Sequence, residues 1–294
     1  MTLDTKSIDC LRRVQKYLDR NARHWVSETD TGITFKDNFI ELLMLEETGN
    51  WNLVDLRIPQ GKWNYFGSKA VIVGDYPDDN DTNAVASTIV KPVDSRAHAL
   101  MDELLQSENE DGIIQLYQDP SRPRVCPEVS ANICTFFYTY NRGHEVRKSF
   151  DWVYSALQDR AYHVPGRYYF NPEPFFYYVR RLVRSAKQQP ELDRLKELLA
   201  ARVQERIGTT PDDPGCLAMR LLICHDFNIP NQEDLQALLR LQEEDGSFGV
   251  GWYYRFGRSQ IKVGHRGFTA TLALEAIKKN LLSADENGAN GSIE

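Results

Sequence analysis

Residues 238–249 read LLRLQEEDGSFG and carry the pattern that says most about the architecture of this chain. Gln242 is followed by three residues and then Gly246, and Phe248 comes two positions after that glycine. A glycine that follows a helical stretch and precedes a bulky ring is typical of a turn that ends one helix and anchors the chain before the next. This stretch therefore predicts a helix pair joined by a packed turn.

Weaker copies of this turn occur at Gly49-Asn50-Trp51 and at Gly112-Ile113. The interval from Gly112 to Gly246 is about twice the interval from Gly49 to Gly112. A repeat of this length fits a helix pair with its loops, and stacked helix pairs share one core when several assemble. The repeat favours a ring of inner and outer helices.

Helical periodicity dominates the rest of the chain, so the predicted fold class is all-α, with a single toroid of helices over residues 1–282. Short strand-like runs at 70–73 and 261–263 are predicted to be too short and isolated to build a sheet. The polar residues 283–294 are expected to form a disordered tail. The predicted helices span about residues 5–24, 35–47, 82–90, 95–107, 128–141, 144–160, 172–187, 190–206, 213–226, 232–243 and 267–282.

Composition narrows the classes of function. A formal charge of -7 and a pI near 5.5 argue against nonspecific binding to nucleic acid, which requires a basic face. No stretch approaches the length of a transmembrane helix, and the N-terminus lacks the pattern of a signal peptide. Five cysteines with no Cys-x-x-Cys pair suggest neither disulfides nor a zinc knuckle. A cytoplasmic location is the expectation.

Residues 77–84 read PDDNDTNA and place Asp78, Asp79 and Asp81 directly before an apolar run, Val85–Val90. Carboxylates this close cannot all ionise easily, because like charges and burial both raise the pKa of a carboxyl group. Such a cluster is either a helix cap or a proton source.

The Gln242 to Phe248 spacing resembles the QW repeat of the terpenoid cyclase and protein prenyltransferase superfamily, with Phe in place of Trp. Residues 267–276 are similar to the inner helix that follows such a repeat. The resemblance implies an α/α toroid.

Residues 79–83 resemble the Asp-rich motif of class II terpene cyclases, in the variant where Asp-x-Asp is followed by Thr. The resemblance implies that Asp81 is the Brønsted acid that protonates an alkene or epoxide, with Asp79 and Asp78 tuning it. Asn83 departs from the second Thr of that motif. The implied function is a terpenoid cyclase or isomerase whose carbocation is quenched by deprotonation or by water.

Two other interpretations of the acidic run stay open. Asp81 or Thr82 would be the N-cap of a helix, with the remaining carboxylates complementing its dipole in water. Alternatively, Asp75, Asp78 and Asp79 would hold Mg²⁺, which is expected only if the substrate carries a diphosphate. No other metal or cofactor is predicted.

A carbocation needs aromatic faces around it, and several clusters offer them. Trp252, Tyr253 and Tyr254 are predicted to lie on a loop, because Gly249, Gly251 and Gly257 flank them. Arg122 and Arg124 are the predicted contacts for substrate phosphate. The further candidates for substrate binding are Trp63, Tyr65, Tyr168 and Tyr169.

Three competing functions remain from the sequence. A prenyltransferase-like toroid would hold zinc through Asp213, Cys216 and His265, and a carbohydrate enzyme would pair Asp81 with Asp119. A noncatalytic toroid would bind a partner or a hydrophobic ligand. Because this length holds only one barrel, a homo-oligomer or a partner subunit is a further expectation.

Overall fold

The computed structural model describes residues 5–68, 74, 76–210 and 212–290 of the 294-residue chain. The predicted all-α class is confirmed for the main body, and helices form in all eleven predicted regions. These helices are α1 Thr5–Asn21, α2 Asn38–Thr48, α3 Asn80–Val90, α4 Asp94–Leu105, α5 Pro127–Thr139, α6 Arg147–Gln158, α7 Pro172–Ser185, α8 Pro190–Gln204, α9 Pro214–Asp226, α10 Gln232–Arg240 and α11 Arg266–Asn290.

Alternate helices form a closed inner ring. The helices α2, α3, α5, α7, α9 and α11 each contact the next, and α11 returns to α2. They are buried around most of their circumference, as expected for helices that pack on both sides. Outer helices cover them, with α1 on α11, α6 on α5, α8 on α7 and α10 on α9. The fold is therefore an α/α toroid.

A small antiparallel sheet closes one part of the toroid, and here the prediction from sequence was wrong. The strands β1 Ser27–Thr29, β2 Thr34–Phe35, β3 Trp252–Arg255 and β4 Lys262–Gly264 pair in the order β2-β1-β4-β3. The run at 261–263 gains its partner β1 from the opposite end of the chain, which local pattern does not reveal. The run at 70–73 lies outside the described residues.

The turn at 242–248 fastens α10 to α1. Gln242 donates from Nε2 to the backbone oxygen of Cys10 at 2.9 Å. Gly246 has φ +94°, and a Cβ there would lie 2.5 Å from the backbone oxygen of Arg13. Only glycine fits this close approach with a positive φ. Phe248 is buried after the turn, so residues 242–248 pack the end of α10 against α1.

Several helix boundaries differ from the prediction, among them the start of α2 and the end of α11. Asp37 accepts a hydrogen bond from the backbone nitrogen of Ile40, so α2 starts at Asn38 rather than near residue 35. The last helix, α11, continues past residue 282 to Asn290. Residues 291–294 lie outside the described part, and a disordered tail stays a prediction.

Candidate active site

A cavity of about 1040 Å³ lies at the amino-terminal ends of the inner helices α2, α3 and α5. Its remaining walls come from the segments before α3, α5 and α7 and from the β3–β4 hairpin. A volume near 1000 Å³ suits a ligand of drug size or larger. Its lining residues are Phe39, Tyr65, Gly74, Tyr76, Asp79, Asp81, Thr82, Leu116, Tyr117, Arg122, Arg124, Val129, Arg167, Tyr168, Tyr169, Tyr254, Arg255, Phe256, Gly257, Arg258 and Ser259.

Asp79 is the N-cap of α3. Its Oδ1 accepts from the backbone nitrogen of Thr82 at 2.6 Å, and its Oδ2 accepts from the Thr82 hydroxyl at 3.0 Å. Burial raises the pKa of Asp79 to about 7, against the opposing effect of these two hydrogen bonds. The cap therefore belongs to Asp79, where the sequence had suggested Asp81 or Thr82.

Asp81 lies two positions further on, in the first turn of α3, and is 6% exposed. Its Oδ1 accepts from Nδ2 of Asn132 on α5 at 2.8 Å. Its Oδ2 has no hydrogen-bond partner among the described residues. Burial, and then the charge of Asp79, raise the pKa of Asp81 to about 8, while Asn132 and the Arg181 charge lower it. A pKa in this range favours the protonated form of this carboxyl group at neutral pH, beside an aromatic cavity.

A chain of polar groups behind Asp81 fixes its orientation. The Asn132 side-chain oxygen accepts a hydrogen bond from Nη1 of Arg181 on α7. Arg181 in turn donates from Nη2 to Oε1 of Glu46 on α2 at 3.0 Å. Because Arg181 occupies the Asn132 oxygen, the amide must present its NH₂ group to Asp81. The arrangement leaves Oδ2 of Asp81 as the oxygen that carries the proton.

Asn83, which departs from the motif, lies on the other side of α3. Its Oδ1 accepts from the backbone nitrogen of Trp63 at 2.8 Å, and its Nδ2 donates to the Trp63 carbonyl at 2.9 Å. It therefore braces the loop before α3, whereas Asn132 supplies the hydrogen bond to Asp81. An asparagine inside the apolar helix α5 was the sequence signal for this partner.

The structure brings four of the predicted aromatic residues to the cavity: Tyr65, Tyr168, Tyr169 and Tyr254. Four more rings complete its walls, namely Phe39, Tyr76, Tyr117 and Phe256. Tyr65 packs edge-on against Tyr254 with ring centroids 6.0 Å apart. The cavity thus offers many π-faces and few bases.

Three predicted contacts are not brought to this cavity. Trp63 is turned toward a separate groove between its own loop and α3 and α4. The prediction that Trp252, Tyr253 and Tyr254 share a loop was wrong, because they form strand β3, in which successive side chains point to opposite faces. Tyr254 consequently faces the cavity, whereas the Tyr253 hydroxyl contacts Thr269 on α11 at 2.7 Å. Trp252 lies against Gly264 of β4.

Of the five arginines that line the cavity, Arg122, Arg124, Arg167 and Arg258 form its rim, which is exposed except for the half-buried Arg124. Arg122 pairs with Asp119 at 3.5 Å, and the other three have no carboxylate partner within the described ranges. An excess of guanidinium groups at one opening suits an anionic group such as a phosphate. Arg122 and Arg124 were predicted for this role; Arg167 and Arg258 come from segments distant in sequence.

The other predicted chemistries find little support from the geometry. Asp78 is exposed and accepts from Asn64, while Asp75 lies outside the described residues. Asp213 caps α9 by accepting from the backbone nitrogen of Cys216, and His265 accepts from that of Phe268 at the start of α11. In the part of the chain that the structure covers, no three His, Cys, Asp or Glu side chains are grouped to hold a metal ion. Asp119 is exposed beside Arg122 rather than facing Asp81.

The structure so far described is an α/α toroid with a buried carboxyl group at an aromatic cavity. Comparisons with known proteins show which proteins are similar to it in sequence and fold. Residues 11–140 match the sesquiterpene cyclase astC-like C-terminal domain family. The drimenol cyclase drtB of Aspergillus calidoustus is 33% identical over 279 residues, which cover 94% of this chain and 53% of that protein. The chain thus spans about half the length of this curated relative.

Solved structures show the same fold. A protein from Actinoplanes superposes with a TM-score of 0.64 at 16% identity, over 93% of this chain and 99% of the other. The type II terpene cyclase MstE from Scytonema gives 0.61 at 14% identity, over 94% and 98%. A variant of MstE in complex with its substrate geranylgeranyl dihydroxybenzoate gives 0.60 at 13% identity, over 94% and 97%. The chain therefore has an α/α toroid fold similar to that of class II terpene cyclases, as the resemblance in the sequence implied.

Among the helices that the structure describes, none combines the length and the apolar character needed to cross a bilayer.

Proposed function

We propose that this chain is a class II terpenoid cyclase that starts a carbocation cyclisation by protonating an isoprenoid alkene or epoxide with Asp81. The observation that supports this most directly is a buried carboxyl group with a pKa of about 8 that lines a cavity of aromatic rings. A carboxylic acid that stays neutral at pH 7 is suited to general acid catalysis.

In the first step, the proton on Oδ2 of Asp81 is transferred to an alkene carbon or an epoxide oxygen. The O–H bond breaks and a C–H or O–H bond forms, which leaves positive charge on the substrate and negative charge on Asp81. Three features stabilise that carboxylate: the Asn132 amide, the nearby Arg181 charge and the amino terminus of α3. Each of them stabilises the negative charge that develops on Asp81 during proton transfer.

The substrate cation is then surrounded by aromatic rings and by few groups that could remove a proton from it. Tyr169, Tyr254 and Phe39 line the cavity with centroids about one ring diameter apart, for example 6.4 Å between Tyr169 and Tyr254. Cation–π attraction to such rings contributes about 2 kcal/mol or more each when water is excluded. The cavity therefore holds a folded polyene and delays capture of the cation by solvent.

The arginine rim extends the proposal to the other end of the substrate. Arg122, Arg124, Arg167 and Arg258 would hold an anionic head group, and a diphosphate matches their number and charge. If the substrate carries a diphosphate, Mg²⁺ would bind with it as a counterion, and adding EDTA tests this point. Asp79 and Asp78 would tune Asp81, because the charge of each raises the pKa of the next carboxyl group.

The decisive experiment incubates the purified chain with linear prenyl diphosphates of fifteen and twenty carbons and with an epoxy polyene, with and without EDTA. Products are identified by mass spectrometry. Asp81→Asn should reduce cyclisation by at least about a hundredfold, because it removes the acid while keeping the shape of the side chain. Asp151→Asn is the control and should retain activity within about tenfold, because this exposed carboxylate pairs with Arg147 on the outer helix α6.

Cyclic product from Asp81→Asn at the wild-type rate would refute the role of Asp81. Absence of cyclic product from the wild-type chain on all three substrates would favour a noncatalytic toroid that binds a hydrophobic ligand or a partner. Sedimentation of the wild-type chain measures whether it forms a homo-oligomer, which stays a proposal together with a cytoplasmic location.

A further inference from the structure

A second polar cluster lies in the cavity wall and takes no part in holding Asp81. It consists of Asp37 before α2, Tyr65 in the following loop and Tyr254 on β3. Asp37 is 1% exposed, while both tyrosines line the cavity. Each of these residues is distant in sequence from at least one other, and the β3–β4 hairpin brings them together.

Hydrogen bonding fixes the direction of the protons in this cluster. Oδ2 of Asp37 accepts from the Tyr254 hydroxyl and, at 2.7 Å, from the Ser27 hydroxyl. Oδ1 of Asp37 accepts from the backbone nitrogen of Ile40 at 3.0 Å. A carboxyl group that accepts three hydrogen bonds and donates none is satisfied as a carboxylate. Burial raises the pKa of Asp37, but the hydrogen bonds that it accepts lower it and favour the carboxylate form behind the cavity wall.

The two phenols form a relay toward that carboxylate. Their hydroxyl oxygens are 2.7 Å apart. Because Tyr254 has one hydroxyl proton and donates it to Asp37, Tyr65 must donate to Tyr254. The Tyr254 oxygen is left with one lone pair for a further proton. Because Tyr254 lines the cavity, its oxygen can accept a proton from a cationic substrate bound there.

We propose that Tyr254, backed by Asp37, accepts the proton that ends the cyclisation. This inference rests on the proposed function. A C–H bond next to the final cationic carbon breaks, and its electron pair becomes the alkene. The proton goes to the Tyr254 oxygen while the phenol transfers its own proton to Oδ2 of Asp37. Asp81 has lost one proton and Asp37 has gained one, so the substrate isomerises without net proton change, and solvent restores both groups between turnovers.

The positions of the acid and the acceptor support separate roles. Tyr169 neighbours both, because its ring centroid is 6.4 Å from that of Tyr254 and the Asp81 charge contributes to raising its pKa. Proton donor and proton acceptor thus border one cavity with an aromatic ring next to each. After protonation by Asp81, the positive charge moves along the substrate as the rings form. The final cationic carbon then lies near Tyr254 rather than near Asp81, so the proton is not returned directly to Asp81.

The test measures the product distribution in Tyr254→Phe and in Asp37→Asn, with the prenyl diphosphate that the wild-type chain cyclises. Asparagine is also a good N-cap, so Asp37→Asn keeps the cap of α2 while removing the base. Tyr253→Phe is the matched control, because the adjacent hydroxyl contacts Thr269 outside the cavity. Total substrate consumption and each product are quantified by gas chromatography with mass spectrometry.

We expect the share of the main wild-type alkene to fall by about tenfold in Tyr254→Phe and in Asp37→Asn, because a positioned base accelerates proton removal by that factor or more. Isomeric alkenes and alcohols from capture of the cation by water should replace it. Tyr253→Phe should keep the wild-type distribution. A merely structural role of Tyr254 would lower total consumption and leave the product ratios unchanged.

Unchanged product ratios in Tyr254→Phe, at any rate of consumption, would overturn the inference. So would a shift of the same size in Tyr253→Phe, because the change would then reflect packing rather than the relay. If the wild-type chain gives no cyclic product, the proposed function fails. If the wild-type chain gives cyclic product and the product ratios are the same in Tyr254→Phe and Asp37→Asn, this inference alone fails.

Discussion

Asp79 and Asp81 stand two positions apart, and the first turn of α3 separates their environments. Asp79 uses both oxygens to cap the helix, whereas Asp81 projects from the first turn toward α5 and meets Asn132. The run of three carboxyl groups therefore contains one exposed side chain, one helix cap and one buried side chain at the cavity. The cap predicted for Asp81 or Thr82 belongs to Asp79, and the acid interpretation of Asp81 stays a proposal.

At the same scale, the sequence could not reveal which side chain would hold Asp81. The motif pointed to position 83, but Asn83 faces the loop at Trp63 because helix geometry turns it away from Asp81. Asn132 is distant along the chain and reaches Asp81 only when α5 packs against α3. Such a partner is visible in sequence only as an unexplained polar residue in an apolar helix.

The pKa of Asp81 predicts how activity depends on pH. The acid must be protonated to act, so the rate of cyclisation should be constant below about pH 8 and fall about tenfold per pH unit above it. Single-turnover rates across this range measure the profile. A rate that rises through pH 8 would show that the ionised form of Asp81 is the active one.

The same shift predicts how stability depends on pH. The folded pKa of Asp81 is raised above its unfolded value near 3.8, so the folded state binds more protons between those values. Stability from this group is full below about pH 4 and is lost as the pH rises through about 8. Urea denaturation measures the free energy of unfolding at about pH 5 and about pH 9. Its decrease between these pH values should be smaller in Asp81→Asn than in the wild type, by more than about 1 kcal/mol. An identical loss in both proteins would contradict burial of an ionisable Asp81.

Among the secondary-structure elements, helix existence followed from the sequence and the hairpin did not. Periodic apolar residues and the prolines at the starts of α5 and α8 defined those helices locally. Strand β4 needs β1, which lies more than two hundred positions earlier, and no local pattern predicts that pairing. The site depends on this element, because β3 carries Tyr254 to the cavity and turns Tyr253 away from it.

The cap of α3 can be tested as an element. Asp79→Ala removes both hydrogen bonds to Thr82 and should lower the free energy of unfolding by about 0.5–2 kcal/mol. Asp79→Asn should lose much less, because an asparagine side chain also caps a helix. Chemical denaturation of both variants measures the difference. Equal losses in the two variants would show that the charge of Asp79, rather than its cap, stabilises α3.

At the scale of the whole fold, the candidate site lies at one end of a closed ring of helices. The inner helices close from α11 to α2, and their amino-terminal ends meet the hairpin and the loops that carry the arginines. The sequence predicted the ring from its repeated turns, but the cavity depends on how five separated segments meet at one end. Residues 122, 167 and 258 become neighbours only after the ring has closed.

This closure places a basic rim on a chain of net charge -7, and its contribution can be measured. Arg124→Gln combined with Arg258→Gln should raise the KM for a linear prenyl diphosphate by about tenfold or more, because each charge-assisted contact contributes about 1.5–3 kcal/mol before screening by solvent. The KM for a neutral epoxy polyene should stay unchanged. Arg147→Gln is the control, since Arg147 pairs with Asp151 on the outer helix α6. Equal increases in KM for the charged and the neutral substrate would show that the rim shapes the opening rather than binding an anion.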